Sequence, residues 1–149
     1  SRAADRHPPS PGAAPQAGVR NTKFYPVTPM NGGGASNDFP IYRYADVLLM
    51  TAECNVRLAN PAAAKPIVDA VRQRAGLGIL AANPTLDDIY NERGFELSWE
   101  GHRRQDMIRF DKFLLSNDFR GASAAYRKLF PIPTAALDAN KGLKQNPGY

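Results

Sequence analysis

Apolar residues recur at three- and four-residue steps through two consecutive stretches, Arg43 to Ala75 and Thr85 to Leu115, and each stretch is split by a helix-breaking signal. A chain patterned this way pairs helices, because strand geometry would scatter the same side chains over both faces of a sheet. In the first stretch Tyr44, Val47, Leu48, Thr51, Asn55 and Leu58 form one face, and Arg43, Asp46, Glu53 and Arg57 form another. Asn60-Pro61 stops that helix and starts the next, since Asn caps well and Pro suits the first helical turn. Ile67, Val68, Val71 and Ala75 give a second stripe, which Gly76 is placed to close in a left-handed conformation. Pro66 requires that helix either to begin or to bend there.

The second stretch opens at Pro84-Thr85, with Thr85 as the cap and Asp88 three residues on to reach back to it. Leu86, Ile89, Tyr90 and Leu97 face one way and Phe95 and Trp99 the other, so this helix reads as sandwiched, with its two aromatics as core. Gly101 interrupts it, and His102 to Leu115 reads as a fourth helix carrying Met107, Phe110, Phe113 and Leu114. The hairpins span 33 and 31 residues, close to the period of a tetratricopeptide-type array. The expected fold is all-α: tetratricopeptide-like helical hairpins in an α-α superhelix with long loops. From Ser116 an extended C-terminal tail is expected, in which Phe130-Pro-Ile-Pro133 and Gln145-Asn-Pro-Gly-Tyr149 press on the surface. Such hairpins need about three or more neighbours to cover their outer faces, so two alone are expected to belong to a longer chain. Residues 1–18, rich in Pro and Ala, are expected to be a disordered tail, and residues 19–149 the domain.

Composition removes several function classes. The longest aliphatic run, Val47 to Met50, is far short of the roughly 20 apolar residues that a membrane-crossing helix needs. Net charge is +5, but the excess gathers in residues 1–37, where Arg2, Arg6, Arg20 and Lys23 face Asp5 alone. The balanced remainder argues against nucleic acid as a partner, although Phe24 and Tyr25 beside Lys23 make a small aromatic-basic surface. Cys54 is the single cysteine, and with only His7 and His102 far from it in sequence it builds neither a disulfide nor a zinc site. It is expected to be a packed thiol, and His102 a solvated or capping residue. Gly32 to Gly34 lacks the following lysine and helix of a phosphate loop.

Charge patterning carries the candidate chemistry. Glu92, Glu96 and Glu100 stand at four-residue steps, a repulsive column unless bases neutralise it. Arg72, Arg74, Arg93, Arg103, Arg104 and Arg109 are the available bases, and Asp106 lies three residues from both Arg103 and Arg109. The expected outcome is an ion-pair lattice fastening the hairpins, because guanidinium forks suit carboxylates. The alternative makes Glu96 and Glu100 the acid and base of a glycoside hydrolase, a role that arginine-rich surroundings oppose. Trp99, Phe24 and Tyr25 are the candidate sugar-stacking residues. No cofactor is expected; a calcium ion at Asp118, Asp138 and Asn140 is conceivable, but scattered loop acids are usually solvated.

An ordered series of six blocks narrows the reading: Asn37-Asp-Phe-Pro-Ile-Tyr-Arg-Tyr-Ala-Asp-Val-Leu-Leu-Met50 with Ala52-Glu53; Val71-Arg-Gln-Arg-Ala-Gly76; Glu92-Arg93 with Glu96-Leu97; Glu100-Gly101 with Arg103, Asp106 and Arg109; Phe130-Pro-Ile-Pro133; and Gln145-Asn-Pro-Gly-Tyr149. The series resembles the C-terminal part of the SusD/RagB family over about Arg20 to Tyr149. It departs from the family's pattern at Gly94, where a second arginine is common, and at Cys54-Asn55. The resemblance implies a tetratricopeptide-like scaffold without catalytic activity, in a lipoprotein on the outer face of a Gram-negative outer membrane. There it would capture glycan, or for some relatives peptide, and deliver it to a TonB-dependent SusC-like transporter. The lipid anchor and most glycan-contacting aromatics would lie outside this chain. A structural role is implied for Arg43, Asp46, Glu53, Arg72, Arg74, Glu92, Arg93, Glu96, Arg103, Asp106 and Arg109. A helical-repeat piece that docks a protein partner without sugar is the remaining alternative.

Overall fold

The computed structural model describes residues 23–24, 38–117 and 120–149; the expected tail at residues 1–18, Tyr25 and Asp118 lie outside them. The chain divides into two units, Ser1–Phe39 and Pro40–Tyr149. In the first, the rings of Phe24 and Phe39 meet at 5.6 Å. The second holds α1 (Tyr44–Arg57), α2 (Pro61–Arg74), α3 (Leu86–Glu96) and α4 (Arg103–Arg109), then a single 3-10 turn (Ala125–Lys128) and α5 (Thr134–Ala139). Among the described residues there is no β-strand, only an isolated bridge between Asn117 and Arg120. Nor is any helix long and apolar enough to cross a membrane.

The helix ends follow from local chemistry. Thr85 Oγ1 accepts from the Asp88 amide at 3.2 Å while the Asp88 carboxylate accepts from the Thr85 amide at 2.8 Å, a reciprocal capping box. The Thr85 hydroxyl and amide together hold the Asp88 carboxyl below its ordinary value. Past α2, Gly76 is left-handed at φ +75°, and Leu77 and Gly76 donate to Arg72 O and Gln73 O, which pairs two carbonyls otherwise left without donors. The same motif closes α1 at Ala59 (φ +58°) and α4 at Asp111 (φ +56°), without glycine. This second use corrects the expected fourth helix: it stops at Arg109 rather than Leu115, because Asp111 reverses the chain and Lys112 bonds back to Met107 O. Pro66 lies inside α2, which starts at Pro61, so a later start is excluded.

The core joins Leu49 and Ala52 of α1, Ala64, Val68 and Val71 of α2, and Ile89 of α3. The expected inner face of α1 was misplaced. Tyr44, Val47, Thr51 and Leu58 are exposed, whereas Ala45, Asp46, Leu49, Ala52 and Glu53 are buried. Burying Asp46 and Glu53 is tolerable only because each meets a guanidinium, as described below. That rotation also leaves Cys54 exposed rather than packed. The expected sandwiching of α3 fails within this chain, since Phe95 is 63% exposed and Trp99 71%. The C-terminal segment is more ordered than a plain extended tail: α5 interrupts it, and the Gln145 side chain pairs with both backbone groups of Ile132 at 2.8 and 2.9 Å.

Two outcomes are expected. Ala59→Gly relieves a left-handed alanine and raises stability by about 0.5–1 kcal/mol in urea unfolding; a destabilised variant would contradict the role given to this turn. The apolar surface at Tyr44, Val47, Phe95 and Trp99 makes the chain self-associate in sedimentation velocity, and Val47→Glu with Phe95→Lys reduces the association. A wild-type chain that stays monomeric at high concentration would refute this.

Candidate functional site

The side chains singled out for their charge converge where α1, α3 and α4 meet. Arg93, 4% exposed, donates from Nη1 to Asp46 Oδ1 at 2.7 Å and from Nε to Asp106 Oδ2 at 2.9 Å. Arg109 continues the chain of contacts, donating to Asp106 Oδ1 at 2.8 Å and forking onto both oxygens of Glu53 at 2.6 and 2.9 Å. Arg57 closes this end on Glu53 at 2.8 Å. Asp46, Glu53 and Asp106 are all buried, and their desolvation is offset by charge-assisted bonds, to Asp46 from Arg93 and to Glu53 and Asp106 from two arginines each.

A second cluster binds α2 and the start of α1 to α3. Arg72 pairs with Glu92, and Arg74 Nη2 with Glu96 Oε2 at 2.6 Å. Arg43, the residue capping α1, reaches Glu96 at 2.8 Å, Glu100 at 2.7 Å and the Glu96 carbonyl at 2.9 Å. The three glutamates are therefore not one helical column. Helix α3 ends at Glu96, and a turn with Trp99 at φ +65° brings Glu100 back under Arg43. Arg103 departs from the expected lattice. Its guanidinium lies 3.7 Å from the centre of the Tyr90 ring and donates to Tyr90 O at 2.8 Å, a cation–π contact rather than an acid pair. Gly94 makes room for it, since a Cβ there would stand 2.6 Å from Arg103 Nη1.

Electrostatics agree with geometry. Glu100 chiefly, and Glu96 after it, hold the Arg43 guanidinium above its ordinary value against the opposing cost of burial. Glu53 feels burial first, which alone would raise it, but Arg109 and Arg57 together carry it below the ordinary carboxylate value. Arg109 is raised in turn by Glu53 and, more weakly, by Asp106. Away from the lattice, Asp69 is held low by Lys65 and by the Leu80 amide, which pins the loop after α2.

The remaining candidates are dispersed. Phe24 is half-buried beside Phe39, and Trp99 is exposed on the turn after α3. His102 precedes α4 without a capping bond, and its Nε2 is buried with no hydrogen-bond partner among the described residues. Asp138 pairs with Lys141 at 3.3 Å, and Asn140 accepts from the Gly142 amide at 3.0 Å. Among the described residues no group of three or more His, Cys, Asp or Glu is placed to hold a metal ion. Sequence reasoning missed Arg57 as a lattice member, although its position four residues after Glu53 was a usable signal. It also missed a cleft of about 330 Å³ between the 3-10 turn and the C-terminal tail.

Comparison with known proteins finds relatives of this arrangement. The model of the SusD family matches residues 3–149. The starch-binding protein SusD of Bacteroides thetaiotaomicron is 29% identical over 121 residues, covering 75% of this chain and 22% of that protein. The structure of surface glycan-binding protein A from Bacteroides uniformis superposes with a TM-score of 0.67 at 32% identity, over 75% of this chain and 28% of that one. A laminarin-binding SusD-like protein gives 0.60 at 37% identity, over 72% and 22%. The chain thus spans about a quarter of the length of these relatives.

Removing the central cation tests the lattice. Arg93→Met leaves Asp46 and Asp106 buried without their shared partner and is expected to cost about 3–5 kcal/mol in denaturant unfolding; a loss below about 1 kcal/mol would contradict a lattice role. Because Glu53, Asp69 and Asp88 sit below their ordinary values when folded, their contribution is complete at neutral pH. As the pH falls through and below the carboxylate range the unfolded chain protonates first, and stability drops. Glu53→Gln is expected to lower stability at neutral pH and flatten this acid limb; an unchanged acid limb would deny Glu53 that share.

Proposed function

The chain belongs to the SusD family, and from that premise we propose that it takes part in surface glycan capture without catalysis. In this reading the longer protein is held by a lipid anchor on the outer face of a Gram-negative outer membrane. It binds a polysaccharide or oligosaccharide and passes it to a TonB-dependent SusC-like transporter. Relatives named for starch and for laminarin support a polymer of glucose as the first ligand class to test.

The observation that carries the non-enzymatic part is the commitment of the two glutamates a hydrolase would use. Glu96 and Glu100 share Arg43, and Glu96 also holds Arg74. A hydrolase needs two carboxyls open to the scissile bond, and the side chains of these two are covered and turned onto guanidinium groups. Binding needs different chemistry: a flat aromatic face against the C–H face of a sugar, with polar groups at its rim. Trp99 supplies such a face, exposed beside the Arg43–Glu100 pair that holds its turn. A protein-docking role has its own support in the exposed Tyr44 and Val47 of α1, and it differs in requiring no sugar.

Trp99 is the sole tryptophan, so its fluorescence reports directly on this reading. Titration with maltoheptaose or laminarihexaose is expected to change the emission, and in isothermal titration Trp99→Ala is expected to weaken binding by about tenfold, the effect of losing roughly 1.4 kcal/mol. Binding by neither sugar, with retention of a SusC-like barrel on the immobilised chain, would favour protein docking. Turnover of a chromogenic glycoside that disappears in Glu100→Gln would overturn the reading in favour of an enzyme.

A further inference from the structure

The C-terminal motifs that the lattice does not use build a cleft of their own. Gln145 locks to Ile132, Asn146 Nδ2 donates to Phe130 O at 2.7 Å, and the Tyr149 hydroxyl donates to Leu129 O at 2.9 Å. Gly148 at φ +94° lets the tail pass so close to the Tyr126 ring that an added Cβ would stand 2.6 Å from it. These contacts hold the tail against Leu129–Ile132, and Tyr149 meets Tyr126 edge to face with centroids 5.0 Å apart. The resulting cleft of about 330 Å³ has aromatic walls from Phe113, Tyr126, Phe130 and Tyr149. Phe130 is 69% exposed, and Tyr149 is exposed as well, so at least two of these rings present surface to solvent.

The charged side chains described along the cleft, Arg104 and Arg127, are both cations. Arg104 lies over the Phe130 ring at 4.0 Å and the Phe113 ring at 5.0 Å, and its Nη2 donates to Arg127 O and Lys128 O. Arg127 stands over the Tyr126 ring at 5.8 Å and is exposed. Among the described residues no acidic side chain lines the cleft; Asp111 is 3.6 Å from the Lys128 ammonium. Rigid aromatic walls with cations at the rim suit a ring that is apolar on its face and anionic at its edge.

We infer that this cleft is a glycan subsite selective for a uronic acid residue, with the pyranose face on Phe130 and Tyr149 and the carboxylate on Arg127. The inference rests on the glycan-capture reading and adds to it a second position and a ligand charge. Its volume is at the lower end of small-molecule sites, enough for one ring of a longer chain rather than a whole oligosaccharide. Arg104, spent on two backbone carbonyls and two rings, sets the walls, while Arg127 remains the adaptable contact.

Isothermal titration of the full chain with a hexauronate and with neutral laminarihexaose separates the possibilities. The hexauronate is expected to bind, to weaken as salt rises, and to lose about tenfold in affinity in Arg127→Ala and in Phe130→Ala, both substitutions of exposed side chains. Laminarihexaose affinity is expected to be unchanged in Arg127→Ala. If the hexauronate does not bind, or binds equally well to both variants, while laminarihexaose still perturbs Trp99, the inference fails and glycan capture stands. If neither of these sugars nor maltoheptaose binds, both fail. A neutral sugar as sensitive to Arg127→Ala as the hexauronate would overturn the assignment of charge.

Discussion

One buried guanidinium organises the helical unit. Arg93 on α3 joins Asp46 on α1 to Asp106 on α4, across sequence separations of 47 and 13 residues. Three side chains that would each be costly to bury alone become, together, a fixed vertex at which three helices meet. Among the described residues the central apolar cluster is small, six buried residues from α1, α2 and α3, and no buried apolar residue comes from α4. The short α4, seven residues long, is attached to the rest through Asp106, Arg109 and the packing of Phe110 on Tyr90. Its position therefore depends on charge pairing more than on area removed from water.

This arrangement separates architecture from recognition. The carboxylates are turned inward and gripped, so the polar chemistry that might have been reactive is spent on holding helices. The aromatic groups go the other way: Trp99 follows a left-handed turn onto the surface, and the C-terminal tail clamps Tyr126, Phe130 and Tyr149 around an open cleft. A scaffold stiffened by forked ion pairs suits presentation of such faces, because sugar affinity comes from modest contacts that lose little only when the platform is already rigid.

Much of the fold was legible from local chemistry. Thr85 with Asp88 marked a helix start, and Gly76 marked an end, since each residue type does there what others do poorly. Ala59, Trp99 and Asp111 were illegible for the same reason, as none is glycine and each takes the left-handed conformation. The inward face of α1 was misread because Asp46 and Glu53 look like solvent-facing residues until their partners, 47 and 56 residues away, are known. Arg103 shows the reverse error: spacing from Asp106 suggested a pair, while Tyr90 and the gap at Gly94 offered the guanidinium a flat ring. Elements as short as α5 carry too few turns for any periodicity to appear.

A double-mutant cycle between Arg93 and Asp106, read by urea unfolding at neutral pH, tests the organising role of the lattice most directly. Coupling of about 1–3 kcal/mol between Arg93→Met and Asp106→Leu is expected. Additivity within about 0.5 kcal/mol would mean that the two buried charges are held in place by something other than each other, and that the lattice is not what joins these helices.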